Sequence, residues 1–295
     1  MNEIRYINRN NLDVYKYDAC IDLACNTRVY ALSWYLDIVA DNWDVLVYGD
    51  YEIVMPIPWR NKYFIKYIYT PYWVQQLGIF SKNELKENQI LFFIQSIPKK
   101  FKKISILLNE QNVINYSHVT TRTNFILNLD NLYKNLENNY QKNRKQSLQK
   151  AKNFETQIVQ TSSPKNILAI YKENILPKTN IKTKDIANLE QLLSKMQLKE
   201  KVIYYESIYN GQIIGGAIFL HHKNRYYYLL SAVNEEGKNF QAMSLIIDEF
   251  IKNHANTNNI FDFEGSNIPG IASFFKSFGA KKISYYFYQK PFKLF

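Results

Sequence analysis

Glu264 and Lys276 lie in one stretch, IFDFEGSNIPGIASFFKSFGAKKISYY (260–286), that reads strand, turn, short helix, turn, strand. Phe261 and Phe263 alternate with Asp262 and Glu264, the period of a half-buried strand. Glu264 falls at the C-terminal end of that strand, where Gly265 and Ser266 turn the chain. Ligands of open α/β sheets bind outside such ends. Pro269 suits a first helical turn; Ile271, Phe274, Phe275 and Phe278 give the helix an apolar side, and Gly279 ends it. Lys276 projects from another side. A carboxylate and an ammonium near one sheet edge can move a proton and steady negative charge. An ordinary α/β turn with a strand-end Glu and a surface Lys accounts for the same pattern.

Arg144 is a second candidate. One long helix is expected over 132–152, with Leu136, Tyr140, Leu148 and Ala151 as its apolar stripe. Lys142, Lys145, Lys150 and Lys152 mostly point away from the stripe, whereas Arg144 lies on it. A guanidinium on a buried side needs an acidic or phosphate partner, either an internal carboxylate or a ligand. In the first half, Tyr72, Trp73, Gln75 and Gln76 crowd one Gly-ended loop. They suit an acceptor-binding group or a buried loop anchor. His221 and His222 close a strand as an expected solvent-facing pair, and His118 and His254 have no spaced partners, so no metal set is expected. The chain carries no P-loop, dinucleotide fingerprint or G-x-S-x-G elbow.

The elements that must position these residues repeat. Helices are expected over 11–26 and 29–40, then a hairpin turning at Gly49–Asp50, a third strand at 66–69, the loop TPYWVQQLGIF, a helix over 84–97, and strands at 103–109 and 124–129. The helix over 84–97 would bury Leu85, Phe92, Phe93 and Ile97. The second half has a strand at 201–209, a strong Asn210–Gly211 hairpin turn, its return at 212–221, a third strand at 225–233, a helix over 242–254 and a strand at 259–264. The order is the same in both halves, which predicts an internal duplication of one α/β unit. Two further helices are expected in 165–196, broken around 177–180.

The length allows two domains, and 46% apolar residues exclude disorder. Net charge is +11. Residues 1–130 hold 14 Lys+Arg against 13 Asp+Glu, and 131–295 hold 23 against 13. A basic second half suggests an anionic partner, although an Asn-, Lys-, Ile- and Tyr-rich composition produces the same excess. Cys20 and Cys25 read as buried thiols in a reducing compartment. The N-terminus has no apolar run and no stretch is long enough to span a bilayer, so no signal peptide, no transmembrane segment and a cytoplasmic location are expected.

The basic helix NRKQSLQKAKN, the FDFEGS…FFKSFGAK stretch and the strand-rich unit around it together resemble the GNAT superfamily in its FemAB-like branch, bacterial proteins with two such domains in tandem. Arg144, Leu148 and Ala151 match R-x-x-[IL]-x-x-A with one residue of extra spacing. The more specific pattern, fDfgG…FKxxFGa, is matched by Phe261, Asp262, Phe263, Gly265, Phe275, Lys276, Phe278, Gly279 and Ala280. The likeness covers 130–295 well and 1–129 loosely. It implies an α/β (α+β) chain of two tandem GNAT-like domains, each a mixed, mostly antiparallel twisted sheet flanked by helices. A degenerate domain would occupy 1–129, and 130–295 would begin with the basic helix.

The resemblance also implies acyl transfer to an amine. Two strands that splay apart would offer backbone N–H groups to the acyl oxygen, here between 226–233 and 259–264. Glu264 is then the candidate general base, Lys276 the group for an oxyanion or donor phosphate, and Tyr286 (or Tyr288) a proton donor to the leaving group. Gly237, Lys238, Asn239, Gln241 and Arg144 are the candidate donor-binding residues, and Tyr72, Trp73, Gln75 and Gln76 the acceptor-binding ones. The loop EEGKNFQAM (235–243) has one glycine where the family's [RQ]-x-x-G-x-[GA] loop has more, although helix-start amides still suit phosphate. The expected donor is acetyl-CoA or another acyl-CoA, with no metal, and the acceptor is a small-molecule or peptide amine. An aminoacyl-tRNA donor acting toward a peptidoglycan precursor is the alternative, and a non-catalytic binder using the basic half is a third. Oligomeric state is left open.

Overall fold

The computed structural model describes residues 3–291. Along the first half run β1 (Ile4–Asn8), α1 (Val14–Leu23), α2 (Ser33–Val39), β2 (Asn42–Tyr48), β3 (Ile53–Lys62), β4 (Ile65–Ile68), β5 (Phe80–Ser81), α3 (Glu87–Gln95), β6 (Phe101–Leu108) and β7 (Val119–Asn128). Then follow α4 (Tyr133–Asn138), α5 (Lys142–Ala151), β8 (Gln157–Thr161), α6 (Lys165–Asn174) and α7 (Thr183–Leu198). The second repeat is β9 (Val202–Tyr209), β10 (Gln212–His222), β11 (Arg225–Val233), α8 (Glu235–Asn239), α9 (Ala242–His254), β12 (Ile260–Asp262), α10 (Pro269–Lys276) and β13 (Lys281–Lys290).

The expected duplication appears in the strand pairing. In the first repeat β2, β3 and β4 are joined antiparallel, and β4 pairs parallel with β6 across the intervening helix α3. In the second, β9, β10 and β11 are joined antiparallel, and β11 pairs parallel with β12 across α9. Each repeat then ends on a strand that pairs with the other repeat. β7 lies antiparallel to β12, and β13 antiparallel to β6. The chain accordingly forms two compact units. One runs to Arg122 and adds Ala187–Leu192 and the chain from Ser284; the other is Thr123–Ile186 with Leu193–Ile283. The division into these units falls inside β7, between Arg122 and Thr123.

The two cores differ in composition. The first unit packs mainly aliphatic side chains, Ile57, Ile68, Ile79, Ile90, Ile106 and Leu108 among them. The second stacks phenylalanines: Phe219 lies 4.0 Å from Phe250, which lies 4.8 Å from Phe261. Such pairs add directional contact to plain area burial.

Several expectations are corrected. The long helix over 132–152 is two helices, because Gln141 adopts extended backbone (ψ 154°) and gives its N–H to the Ser277 carbonyl at 2.9 Å. Gly279 (φ +77°) packs against Asn139 at this break, where an added Cβ would come within 3.2 Å. Ile271 is exposed, so α10 buries Phe275 instead, with Phe278 just beyond it. On α3, Phe92 faces solvent while Ile90, Phe93 and Ile94 fill the core. Cys20 is buried but Cys25 is exposed. No helix among the described residues is long and apolar enough to cross a membrane.

Candidate acyl-transfer site in the second unit

β12 is shorter than its alternation predicts, and Asp262 does not face solvent. It is 1% exposed, because both faces of this sheet are covered. Its carboxylate accepts from Arg225 Nη1 at 2.5 Å, from Asn124 Nδ2 at 2.9 Å, and from the Glu264 N–H at 2.8 Å. A buried carboxylate is stable only when its lone pairs are so satisfied. Charge, amide and backbone donors together fix the turn that follows. Glu264 and Gly265 both adopt left-handed backbone, φ +58° and +69°. Gly265 is required there, since a Cβ would stand 2.4 Å from the Thr123 carbonyl oxygen. Glu264 is no glycine, so its conformation costs on the order of 1 kcal/mol or more and is held by its surroundings. The result is a half-buried carboxylate presented at the strand end. Sequence reading missed this network, because alternation assigned Asp262 to a solvent face. The retrievable signal was an Asp embedded between two phenylalanines.

Beside it the sheet opens. β12 pairs with β11 over three positions only, Arg225↔Ile260, Tyr226↔Phe261 and Tyr227↔Asp262. β11 continues to Val233 with no strand on that edge among the described residues. Its register with β10 shifts there: Ile218 faces Leu230 and Phe219 faces Tyr228, leaving Leu229 as a one-residue bulge. A bulge breaks ladder pairing and re-aims backbone groups. Where the splay is expected, the β11–β12 pairing ends at Tyr227↔Asp262 and the bulge lies just beyond.

The donor-side candidates form a chain of contacts. The expected loop at 235–243 is a short helix, α8, capped by the Asn234 side chain accepting from the Gly237 N–H at 2.8 Å. Gly237 is buried against β10, where a Cβ would meet the Ile214 carbonyl oxygen at 2.2 Å. Lys238 pairs with Glu235 at the surface, and Asn239 is exposed. Gln241 (φ +58°) begins α9, donates from Nε2 to the Lys238 carbonyl, and accepts from Ser244 Oγ at 3.3 Å. Ser244 in turn accepts from Arg144 Nη1.

Arg144 is buried as expected, but its contacts are hydroxyls and rings, not a paired carboxylate. Nε donates to Ser277 Oγ at 3.0 Å, and the guanidinium lies 4.5 Å from the ring centroids of both Phe274 and Phe278. Burial pushes it down to about 10, against the upward pull of Tyr140 and Asp248. Cation–π contact replaces much of the lost hydration. Arg144 therefore joins α5 to the start of α9 and the end of α10. Lys276, one residue before Ser277, is exposed.

The structure brings Glu264, Lys276, Arg144, Gly237, Lys238, Asn239 and Gln241 into the second unit. It places Tyr286 in the first, paired with Leu108 and half-buried against that unit's core. Tyr72, Trp73, Gln75 and Gln76 are also in the first unit. Tyr72 is exposed, whereas Gln76 is fully buried, its Oε1 accepting from the Glu110 N–H at 3.2 Å and its Nε2 donating to Gln75 at 2.9 Å. The Trp73 carbonyl accepts from the Tyr35 hydroxyl.

No protein-family model matches this chain, and no curated protein matches it. Solved structures do. FemX is similar at a TM-score of 0.67 and 12% identity over 96% of this chain and 97% of that one. L-PGS from Bacillus licheniformis is similar at 0.53 and 10% over 93% and 90%. A tandem GNAT protein from the clavulanic acid biosynthesis pathway is similar at 0.52 and 8% over 98% and 99%. At these identities the likeness carries the fold. Two repeats of one α/β unit, each completed by a strand from the other and matched along nearly the whole of these chains, give this protein a tandem GNAT fold, shared with FemX.

Proposed function

We propose that the second unit is an N-acyltransferase site. The carrying observation is that β11 runs on to Val233 past its last pair with β12 at Tyr227, with the Leu229 bulge in that stretch and Glu264 two residues beyond the end of β12. The acyl carbonyl oxygen lies along the open edge of β11, where backbone N–H groups meet the charge that develops as the amine adds. Glu264 accepts the proton that the attacking amine loses. The nitrogen–carbonyl bond forms, the bond from the carbonyl carbon to the sulfur or oxygen of the leaving group breaks, that atom takes up the proton that Glu264 received, and the amide departs. Lys276 and the helix-start amides of Ala242 and Met243 supply positive charge for a donor phosphate.

An acyl-CoA is the simplest donor. A second reading, an aminoacyl-tRNA donor, gains from two observations. α8 fills the place of an open glycine loop, and the Gly237 amide is already bonded to Asn234. The test is acyl transfer to a panel of primary amines from acetyl-CoA and, separately, from aminoacyl-tRNA. Turnover with either donor that Glu264→Gln abolishes supports the reading. Turnover indifferent to Glu264→Gln, or none with either donor, counts against it.

A further inference from the structure

The near-neutral charge of the first half hides a segregation. Nine of its 13 Asp+Glu fall within residues 1–52, while nine of its 14 Lys+Arg fall within 60–103. Six of those cations, Lys62, Lys66, Lys99, Lys100, Lys102 and Lys103, gather at one end of the first unit's sheet. The β4–β6 register puts Lys66 opposite Phe101 and Tyr67 opposite Lys103. None of the six has an ion-pair partner among the described residues. Lys62, Lys66 and Lys100 lie instead over the rings of Tyr63, Trp59 and Tyr6. Arg60, by contrast, is tied to Asp41. From the same end projects the β3–β4 turn. Tyr63 and Phe64 adopt left-handed backbone there, φ +50° and +62°, the two positive values of a tight hairpin turn. Their rings are 83% and 100% exposed. Beside the lysines lies a cavity of 520 Å³ with apolar walls that include Ile97 and Ile104, bordered by Lys99, Lys102 and Lys290.

We infer that this end of the first unit docks on an anionic phospholipid surface, with Tyr63 and Phe64 entering the interface and the lysines meeting the headgroups. Two adjacent aromatic residues held in water on a tight turn have nothing in the unit to bury them. An aromatic tip ringed by unpaired lysines is the combination that favours a charged bilayer interface, by apolar insertion together with attraction to acidic lipid. A nucleic acid fits less well. The tip is convex, whereas single strands are held in grooves with stacking platforms. The inference stands apart from the transferase reading, since none of these residues belongs to the candidate site.

The test is co-sedimentation of the whole chain with vesicles of phosphatidylcholine alone and of phosphatidylcholine mixed with phosphatidylglycerol, at low and high salt. Binding is expected only to the mixed vesicles and should weaken with salt. Tyr63→Ser with Phe64→Ser should reduce it about tenfold, an estimate from the apolar area withdrawn. Each lysine changed to Gln should reduce it about fivefold. The Phe64→Trp variant should show a blue shift in emission with the mixed vesicles that the unsubstituted chain does not. These positions are exposed, and circular dichroism would verify that the variants fold. Failure to bind mixed vesicles, binding unchanged by the tip and lysine variants, or an emission that stays unshifted in the Phe64→Trp variant overturns the inference. So does binding of single-stranded RNA that the same variants abolish while vesicles are ignored.

Discussion

The two repeats carry the same parallel strand pair, and they treat its open end differently. In the second unit β11 runs on past β12, and among the described residues no strand lies beside the edge beyond Tyr227. In the first unit β4 stops at Ile68 after three pairs with β6, and the chain folds back into the opening. The Leu107 N–H donates to Thr70 Oγ1, the Leu77 N–H to the Leu107 carbonyl, and the Asn109 N–H to the Leu77 carbonyl. Leu77 and Leu108 form a parallel bridge. The loop carrying Tyr72, Trp73, Gln75 and Gln76 thus closes in the first unit what stays open in the second. A duplicated scaffold keeps its sheet when the ladder is completed internally, because the backbone groups are satisfied either way. Among the described residues, the ladder is completed in the first copy and left incomplete past Tyr227 in the second.

The largest expected effect tests that asymmetry through chemistry. Glu264→Gln should lower turnover roughly 10²–10⁴-fold with an unchanged melting curve, the range of a lost general base. Next is the network behind it. Asp262→Ala removes the buried carboxylate that accepts from Arg225, Asn124 and the Glu264 N–H, and should destabilise the second unit by about 3–5 kcal/mol, measurable by urea unfolding. Restoring bulk with Asp262→Asn should recover only part. Gln76→Ala should cost about 1–3 kcal/mol, from the loss of a fully buried side chain that accepts from the half-buried Glu110 N–H, and leave KM for the amine unchanged. A raised KM there would show that the first unit's loop meets the acceptor.

The smallest effect is on pH. Burial lowers both His221 and His254, which pack against Tyr226. The unfolded chain takes up protons from about pH 6.5 downward, where the folded rings still resist them. Their contribution is complete above that pH and is lost as pH falls through the lowered folded values. Thermal midpoints should drop on acidification from pH 7, and His254→Gln should flatten the slope.

Much of the fold was legible in the sequence. Alternating strands and the Asn210–Gly211 turn gave both repeats, and repeated order gave the duplication. What local pattern could not give was long-range. β1 and β8 are short edge strands of mixed composition, and the exchange of β7 and β13 leaves no periodic mark. The break at Gln141 depends on the distant Ser277 carbonyl. Arg144 was placed correctly on a buried side, but its partners are hydroxyls and rings brought by α9 and α10, which no spacing along its own helix encodes. Glu264 was legible as a strand-end carboxylate, whereas the Asp262 network and the Leu229 bulge that frame it emerge only from the sheet.

The most direct test of the open and closed copies is amide hydrogen exchange of the whole chain with and without donor, acetyl-CoA first and aminoacyl-tRNA second. Gained protection at 228–231 on β11, with no change at 104–108 on β6, is the result expected here. Protection gained at β6 or in the loop at 70–77, or no change anywhere with either donor, would contradict the placement of the acyl site.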